Sequence, residues 1–536
     1  MSPHLPALHL DEVRPATDKR TQRRILIAMI TALVAVIAAM SGLNVAQQHL
    51  AIDLGASQGD VLWIINAYTL ALAALLLPVG AVGDRFGRKT VLLTGLAVFA
   101  VSTVGAILAT SVAMMIVARV LAGVGAAMIM PVTLSIITAS FPPEDRAKAI
   151  GIWAGFAGGG SMIGLFVSAF TVDVLTWRWV FALPLLLVAI SAVMSTRFAP
   201  NSREHSRHRF DTIGSVLSAL AIGGLVLGVH EGPEKGWSAT ITVAGLALGA
   251  ISVVAFVVWE RRHAAPLLDI SAFRDRSLTA GTVTLLIVFA VMFGVFLVLF
   301  PFFQAVLGWS ALRSAAGMLP MTLMMMPTST IAPRIAVRIG SRHTMMAGVG
   351  IFAAGLTTLA LRASVEGGYL SVLPGLVLMG LGMGLTMTPA TTSITETLPA
   401  DKQGVASALN DTSRELGGAV GIALLGSVLS AGYRSAVKPL LAGVPAELAK
   451  PASEGIGKAF GVVAEIAGRP DADPAALQQV PVIVSAAKHA FVDGWVQSMW
   501  LGVGMALAAL VFLAVRGPRH EPHRLDEVEP ALVGAG

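Results

Sequence analysis

The chain has 536 residues, 55% of them hydrophobic and only 13% charged, with a mean hydropathy of +0.78. A soluble domain carries about 25% charged residues, so a soluble globule and a disordered chain are both excluded. The long apolar runs imply an all-α integral membrane protein. The absence of cysteine removes disulfide scaffolds, thiolate metal sites, iron–sulfur clusters and cysteine nucleophiles.

A helix needs roughly 20 apolar residues to cross the hydrocarbon core. Fourteen segments qualify, at about 25–46, 61–80, 90–109, 113–138, 149–170, 178–196, 211–229, 239–259, 279–304, 312–332, 344–361, 369–392, 407–432 and 491–515. The first follows the basic stretch Lys19-Arg20 to Arg23-Arg24 and is too long for a signal-peptide core. Arginine and lysine concentrate on one side. The N-tail has Arg14, Lys19, Arg20, Arg23 and Arg24, and alternate loops hold Arg85/Arg88/Lys89, Arg146/Lys148, Arg197/Arg203/Arg207/Arg209, Arg261/Arg262/Arg274/Arg276, Arg334/Arg338/Arg342 and Lys402. The C-tail adds Arg516, Arg519 and Arg524, whereas the short loops opposite hold only Lys235, Arg313 and Arg362. Both termini are therefore expected in the cytoplasm, and the +6 net charge needs no nucleic-acid partner.

The expected organisation is a tail at 1–24, a six-helix bundle at 25–200, a two-helix insert at 201–277, a second six-helix bundle at 278–515 and a tail at 516–536. The long loop 433–489, rich in proline, is expected on the outer side, with room for short interfacial helices. The halves repeat. Asp84-Arg85-Phe86-Gly87-Arg88-Lys89 after the second span falls on Val337-Arg338-Ile339-Gly340-Ser341-Arg342 after the tenth. Parallel repeats about a central path are the build of a secondary transporter.

Gly80-x-x-x-Asp84-Arg85-x-Gly87-Arg88-Lys89 resembles the signature loop of the major facilitator superfamily. Two six-span bundles around a two-span insert resemble its 14-helix drug/proton antiporter branch. Other pieces are similar to that branch: Arg119-x-x-x-Gly123 in the fourth span, Trp177-Arg178-Trp179, Glu231 to Trp237, and Ala408 to Gly418. The resemblance implies that the Asp84 loop latches the halves and gates their rocking, and that Arg119 takes part in proton coupling. Physically, Gly83 and Gly87 suit a tight reversal and close helix approach. Asp84 can pair with Arg85 or Arg88, or cap a helix N-terminus. The plainer reading of the loop is a basic anchor with a turn. For Arg119, a guanidinium about seven residues inside a span, the plainer reading is a structural bond to backbone carbonyls.

Two family features are missing. The antiporter Gly-Pro-x-x-Gly-Gly aligns with Gly164-Leu165 to Ser168-Ala169, without the proline. The first-span Asp aligns with Ala39, and the first six spans hold no core carboxylate. The replacement candidates are Asp411 and Glu415 in the thirteenth span, with Arg414 beside them: either a coupling site or a solvated cluster at a helix start. Asp493 is expected at an interface.

Glycines recur four apart in the fifth span, at Gly151, Gly155, Gly159 and Gly160, Gly164, which suits close helix packing. The expected pocket wall is apolar and soft: Phe289, Met292, Phe293, Phe296 and Phe300, then Met318, Met321, Met324, Met325 and Met326, then Met379, Met383 and Met387. Any single methionine can equally face lipid or pack. Trp63, Asn66 and Tyr68 add an aromatic and polar face in the second span.

These readings converge on a bacterial inner-membrane exporter of hydrophobic or amphipathic compounds, multi-pass, driven by the proton gradient. It is expected to work without a cofactor or a bound metal, as a monomer among membrane lipids. The alternative is an exporter or flippase of an endogenous lipid or secondary metabolite with weak or no proton coupling. A membrane enzyme finds no support, because no metal-ligand cluster, phosphate loop or Ser-His-Asp grouping stands at the helix ends.

Overall fold

Apolar runs interrupted by glycine, proline and capping residues set the helices of the computed structural model, which describes residues 18–201, 210–399, 402–468 and 473–518. Arg14, Arg203, Arg207, Arg209, Arg519 and Arg524, counted above for orientation, lie outside the described residues, as do most of the two tails.

The first half runs α1 (Lys19–Leu54), α2 (Gln58–Phe86), α3 (Arg88–Ile107), α4 (Val112–Ser140), α5 (Pro143–Val174) and α6 (Ala182–Phe198). The insert is α7 (Thr212–Lys235) and α8 (Thr240–Glu260), which pack on each other and on α2 and α14 (Gln403–Leu440). The second half runs α9 (Arg276–Pro301), α10 (Ala311–Gly317), α11 (Leu319–Ile339), α12 (Ser341–Arg362), α13 (Gly368–Thr397), α14, α15 (Ala446–Ala452), α16 (Ile456–Ala467) and α17 (Pro474–Arg516). Among the described residues there is no strand.

Thirteen of these helices are long and apolar enough to cross a membrane. The one expected span outside these thirteen, the tenth at 312–332, differs. It divides at Met318 into the short α10 and a 21-residue α11. α11 carries Thr322, Thr328, Ser329, Thr330, Arg334, Arg338 and three prolines, Pro320, Pro327 and Pro333, so it is not counted by composition. The loop expected at 433–489 is also shorter. α14 continues to Leu440 and α17 begins at Pro474, so helical structure extends well beyond the roughly 30 Å of a hydrocarbon core. Between them lie α15 and α16; the Tyr433 hydroxyl donates to Ala452 O at 2.8 Å and ties α14 to α15.

The internal repeat is visible in the backbone. Gly87 (φ 103°) and Gly340 (φ 85°) each end one helix and begin the next, in a conformation that favours glycine. Lys89 Nζ donates to Thr196 O at 2.8 Å on α6, and its counterpart Arg342 donates to Ala514 O on α17. Each loop is thereby tied to the last helix of its own half. The halves meet crosswise: α2 and α4 pack on α14, and α5 packs on α11 and α13.

Candidate functional site

The second helix of each half packs on the fifth principal helix of the other, and the first such contact carries charge. The Asp84 carboxylate accepts hydrogen bonds from Gly404 N (2.8 Å to each oxygen) and Val405 N (3.1 Å) at the start of α14. Arg88 closes the group from its own half, Nη2 and Nε donating at 2.8 and 3.0 Å. Asp84 and Arg88 are 2% and 4% exposed. The first N–H groups of a helix lack intrahelical partners and carry partial positive charge, so an ionised carboxylate is the complementary cap. Asp84 thus caps a helix in the opposite half, and Gly80 allows the approach: a Cβ there would lie 2.5 Å from Gly404 O. Gly83 faces Val132 and Arg85 is half-buried. The matching position in the other half, Val337, is exposed and apolar. The two-fold repeat is broken where the latch sits.

The glycines of α5 form two faces. A Cβ on Gly151, Gly155 or Gly159 would meet Ser329 O at 2.6 Å, Ser329 Oγ at 2.7 Å or Thr322 Cγ2 at 2.9 Å on α11. Gly160 and Gly164 face Val34, Ile37 and Ala38 on α1. Gly151, Gly155 and Gly159 therefore form the contact between halves, where small residues let helices approach and slide, and Gly160 and Gly164 pack α5 within its own half.

Between the halves lies a cavity of about 830 Å³. Its walls run from Val36 to Gln47 on α1 and from Phe289 to Pro301 on α9, so it reaches from mid-bundle toward the side away from the Asp84 latch. Phe289, Phe293, Phe296 and Phe300, spaced four, three and four apart, share one face of α9 and line it, with Met292 and Met318. Gln47 of the first half and Gln304 of the second add polar groups, and Arg414 and Glu415 sit at its mid-bundle end. Gln304 lies in a π-helical turn, Phe302–Val306, a local geometry frequent at functional sites. Phe302 packs edge-on to Trp495 (4.4 Å between centroids) and Phe303 stacks on Trp309 (5.3 Å), which hold the turn in place. The sequence reading selects neither glutamine, because a single amide in an apolar run carries no periodic signal.

Met325 and Met383, expected in this wall, do not line the cavity. Both are fully buried, and the Met325 side chain fills the space beside Gly158 on α5. Met379 and Met387 are buried too, Met379 against Gly355 and Met387 near Gly158. Small residues on the facing helices draw α5, α11 and α13 together there, which leaves methionines as filler. Phe293→Ala is therefore expected to change transport of large aromatic cargo about two- to tenfold at unchanged abundance, the scale of one aromatic contact. Met325→Ala is expected to lower thermal stability by about 2–5 kcal/mol and all cargoes in parallel. A cargo panel scored against membrane abundance separates the two.

Trp63, Asn66 and Tyr68 do not form one cavity face either. Trp63 and Asn66 border a small gap against Val226, His230 and Glu231 of α7. Tyr68 is fully buried, its hydroxyl donating to Val36 O at 2.9 Å.

Arg119 is 1% exposed and bonds backbone: Nε to Ile64 O at 3.2 Å and Nη1 to Ala39 O at 3.4 Å, with its guanidinium 4.3 Å from the Tyr68 ring centre. Ala39 holds the position of the family's missing Asp. A carbonyl stands in for the carboxylate, and no salt bridge to Arg119 occurs among the described residues. In this conformation Arg119 stitches α1, α2 and α4 together.

The Asp411 group is not solvated, contrary to that alternative. α14 begins at Gln403, so Asp411 is two turns in and 0% exposed. Asn410 Nδ2 donates to its Oδ1 at 3.0 Å and Arg414 Nη1 lies 3.5 Å away, while Oδ2 has no partner among the described residues. Arg414 reaches across the halves, Nη2 donating to Ala157 O on α5 at 3.2 Å, with its guanidinium 4.5 Å from the Phe289 ring centre. Glu415 is half-buried at the cavity wall. A cavity, two carboxylates and a cation that bridges the halves therefore share one place. Asp493 is exposed on α17.

Trp177-Arg178 closes the far end of the first half. Arg178 Nη1 donates to Asp53 Oδ2 at 2.6 Å, with Nε and Nη2 on Ile107 O and Ala109 O; Trp177 Nε1 donates to Asp53 at 3.1 Å. These donors, Arg178 first, hold the Asp53 carboxyl below its ordinary 3.8. The clamp is complete above that value and is lost as pH falls through the lower folded value. Asp53→Asn is expected to lower the Tm in detergent near neutral pH, with the deficit vanishing well below pH 3.8.

A sequence profile described as Major Facilitator Superfamily matches residues 27–422. The multidrug efflux pump LfrA of Mycolicibacterium smegmatis is 32% identical over 510 residues, covering 94% of this chain and 98% of that protein. The multidrug resistance protein Stp of Mycobacterium tuberculosis is 31% identical over 423 residues (79% and 78%). The tetracenomycin C resistance and export protein of Streptomyces glaucescens is 34% identical over 380 residues (70% of each). In fold, the chain resembles the proton:xylose symporter XylE, with a TM-score of 0.58 at 14% identity over 93% of this chain and 96% of that one. A latched pair of repeated bundles around a central cavity, the profile match and the relatives agree: the chain is a multi-pass membrane transporter and belongs to the major facilitator superfamily.

Proposed function

We propose that the chain exports hydrophobic and amphipathic drugs from a bacterial cytoplasm across the plasma membrane, exchanging them for protons. The observation that carries this reading is the cavity, where a row of four phenylalanines meets Glu415 and Arg414 at the mid-bundle end. Apolar, aromatic walls with few polar groups accept many amphipathic shapes. The relatives named for multidrug resistance and efflux support drugs as cargo and give no support to a lipid flippase. The basic loops favour a cytoplasmic latch and cytoplasmic termini, so the cavity faces outward in this conformation. The remaining parts of the proposal are a monomer among membrane lipids, with the proton gradient as energy source and no cofactor.

The test is flux in liposomes holding purified protein, over a panel of dyes and lipids, with and without an imposed pH gradient. Drug flux that follows the gradient supports the reading. Flux of lipid alone, or indifference to the gradient, overturns it.

A further inference from the structure

A second buried carboxyl group lies far from the cavity, on the insert. Glu260 ends α8 and is 3% exposed; Asp211 caps the start of α7 and is 6% exposed. A Cβ on Gly214 would lie 2.3 Å from Glu260 Oε1 and 2.4 Å from Asp211 Oδ2, so the two oxygens border the same point. Two buried carboxylates this close repel, and with one oxygen of Glu260 unsatisfied among the described residues a single proton held by the pair relieves both costs. Asp211 accepts from Gly214 N at 2.8 Å and Trp259 Nε1 at 2.9 Å. Glu260 accepts only from Leu268 N, at 3.2 Å, through Oε2, and its Oε1 is buried with no donor. The donors lie on Asp211 and the unpartnered oxygen on Glu260, so Glu260 Oε1 is the atom that a proton would satisfy.

This pair is joined to the latch. Leu268 belongs to the segment between α8 and α9, where Leu267 and Leu268 are buried in the core. Lys402, the residue before α14, donates from Nζ to Pro266 O at 3.1 Å. Two residues on, Gly404 N is held by Asp84. Lys402 lies near enough to act electrostatically on Glu260 and on Asp269, His263 stacks on Trp259 at 5.2 Å, and Arg261 and Arg262 follow Glu260 in the chain.

We propose that Asp211 and Glu260 form a proton-binding site that regulates the latch. With the shared proton in place, the pair carries one negative charge and holds the Leu267–Leu268 segment against Lys402. When Glu260 gives the proton to water, the pair carries two negative charges in a site that was balanced for one. The carboxylates separate, Leu268 is released, and the start of α14 loses its second anchor. Raising the pH on the latch side therefore favours the unlatched conformation. The inference rests on the Asp84 contact acting as a latch and not on the identity of the cargo.

Two measurements test it. The chain has no cysteine, so Glu144→Cys with Val337→Cys places two spin labels on exposed latch-side positions of opposite halves. In lipid nanodiscs the distance between labels is expected to lengthen as pH rises, and Glu260→Gln, a permanently neutral side chain of the same shape, is expected to keep it short throughout. Asp84→Asn is expected to lengthen it at every pH, which separates failure of the latch from failure of the proton site. The second measurement uses dicyclohexylcarbodiimide, which forms a stable N-acylurea with a protonated, apolar-surrounded carboxyl. Mass spectrometry is expected to find residue 260 modified at neutral pH and progressively less as pH rises. An unmodified Glu260 at neutral pH overturns the proposal, as does a Glu260→Gln variant that keeps the wild-type pH dependence of distance. If that variant does not fold, the carbodiimide result on the unsubstituted protein decides.

Discussion

Asp84→Asn is expected to leave membrane insertion intact and to reduce export to about 1% or less. The carboxylate now satisfies two orphan N–H groups of α14 and the guanidinium of Arg88, all buried. Asparagine keeps one oxygen but turns an N–H₂ toward donors and leaves Arg88 without its counter-charge. Breaking one partner out of a buried pair costs about 3–5 kcal/mol. At about 1.4 kcal/mol per tenfold, that shifts the latched population by two to three orders of magnitude. A transporter that cannot hold one of its two closed conformations cannot complete a cycle. Ser407→Cys, at a fully buried position on α14, gives a direct readout. It is expected to resist alkylation in the parent protein and to react in the Asp84→Asn background. Normal flux at normal abundance would sink the gating role.

The latch loop was legible because its order exceeds what a basic turn needs, and the glycine at 87 does adopt the left-handed conformation. Its partner across the halves was not legible. Gly404 is 320 residues away, and only folding brings a bare helix start to Asp84. The phenylalanine row was legible as one face because its spacing of four, three and four is helical, and that face lines the cavity. The second span was misread for the same geometric reason: at 100° per residue, Tyr68 stands about 140° around the helix from Trp63. Methionines gave no such guide, since filler and pocket wall share one composition, and glycines on a neighbouring helix decide between them. Asp411 stayed undecided because the start of α14 was set four residues late, at 407, which placed its carboxylate nearer to water than it is.

Substituting both Asp411→Asn and Glu415→Gln is expected to abolish gradient-driven export while leaving cargo binding measurable. The first six spans offer no core carboxylate, and Arg119 already spends its donors on Ile64 and Ala39 carbonyls. The remaining acids near the path are Asp411, with one oxygen unpartnered, and Glu415, on the cavity wall. One cation, Arg414, cannot neutralise both, and an unbalanced carboxylate at membrane depth is costly, so on the proposed exchange a proton would complete the group. Glu415 is where water in the cavity can deliver it. Arg414 is where its arrival is felt across the halves, because the same guanidinium that faces Asp411 also holds Ala157 O on α5. A change of charge on the acids therefore alters the contact between halves, which exchange of a proton for cargo requires. One pH unit is worth about 1.4 kcal/mol per proton, or about tenfold in accumulation. Liposomes with the parent protein are expected to show about that tenfold response per unit and per proton exchanged, and the double variant a response near zero, with cargo still quenching tryptophan fluorescence. A parent protein indifferent to the gradient removes proton exchange altogether. A double variant that still follows the gradient places the proton elsewhere and leaves Arg414 as a purely structural tie between α14 and α5.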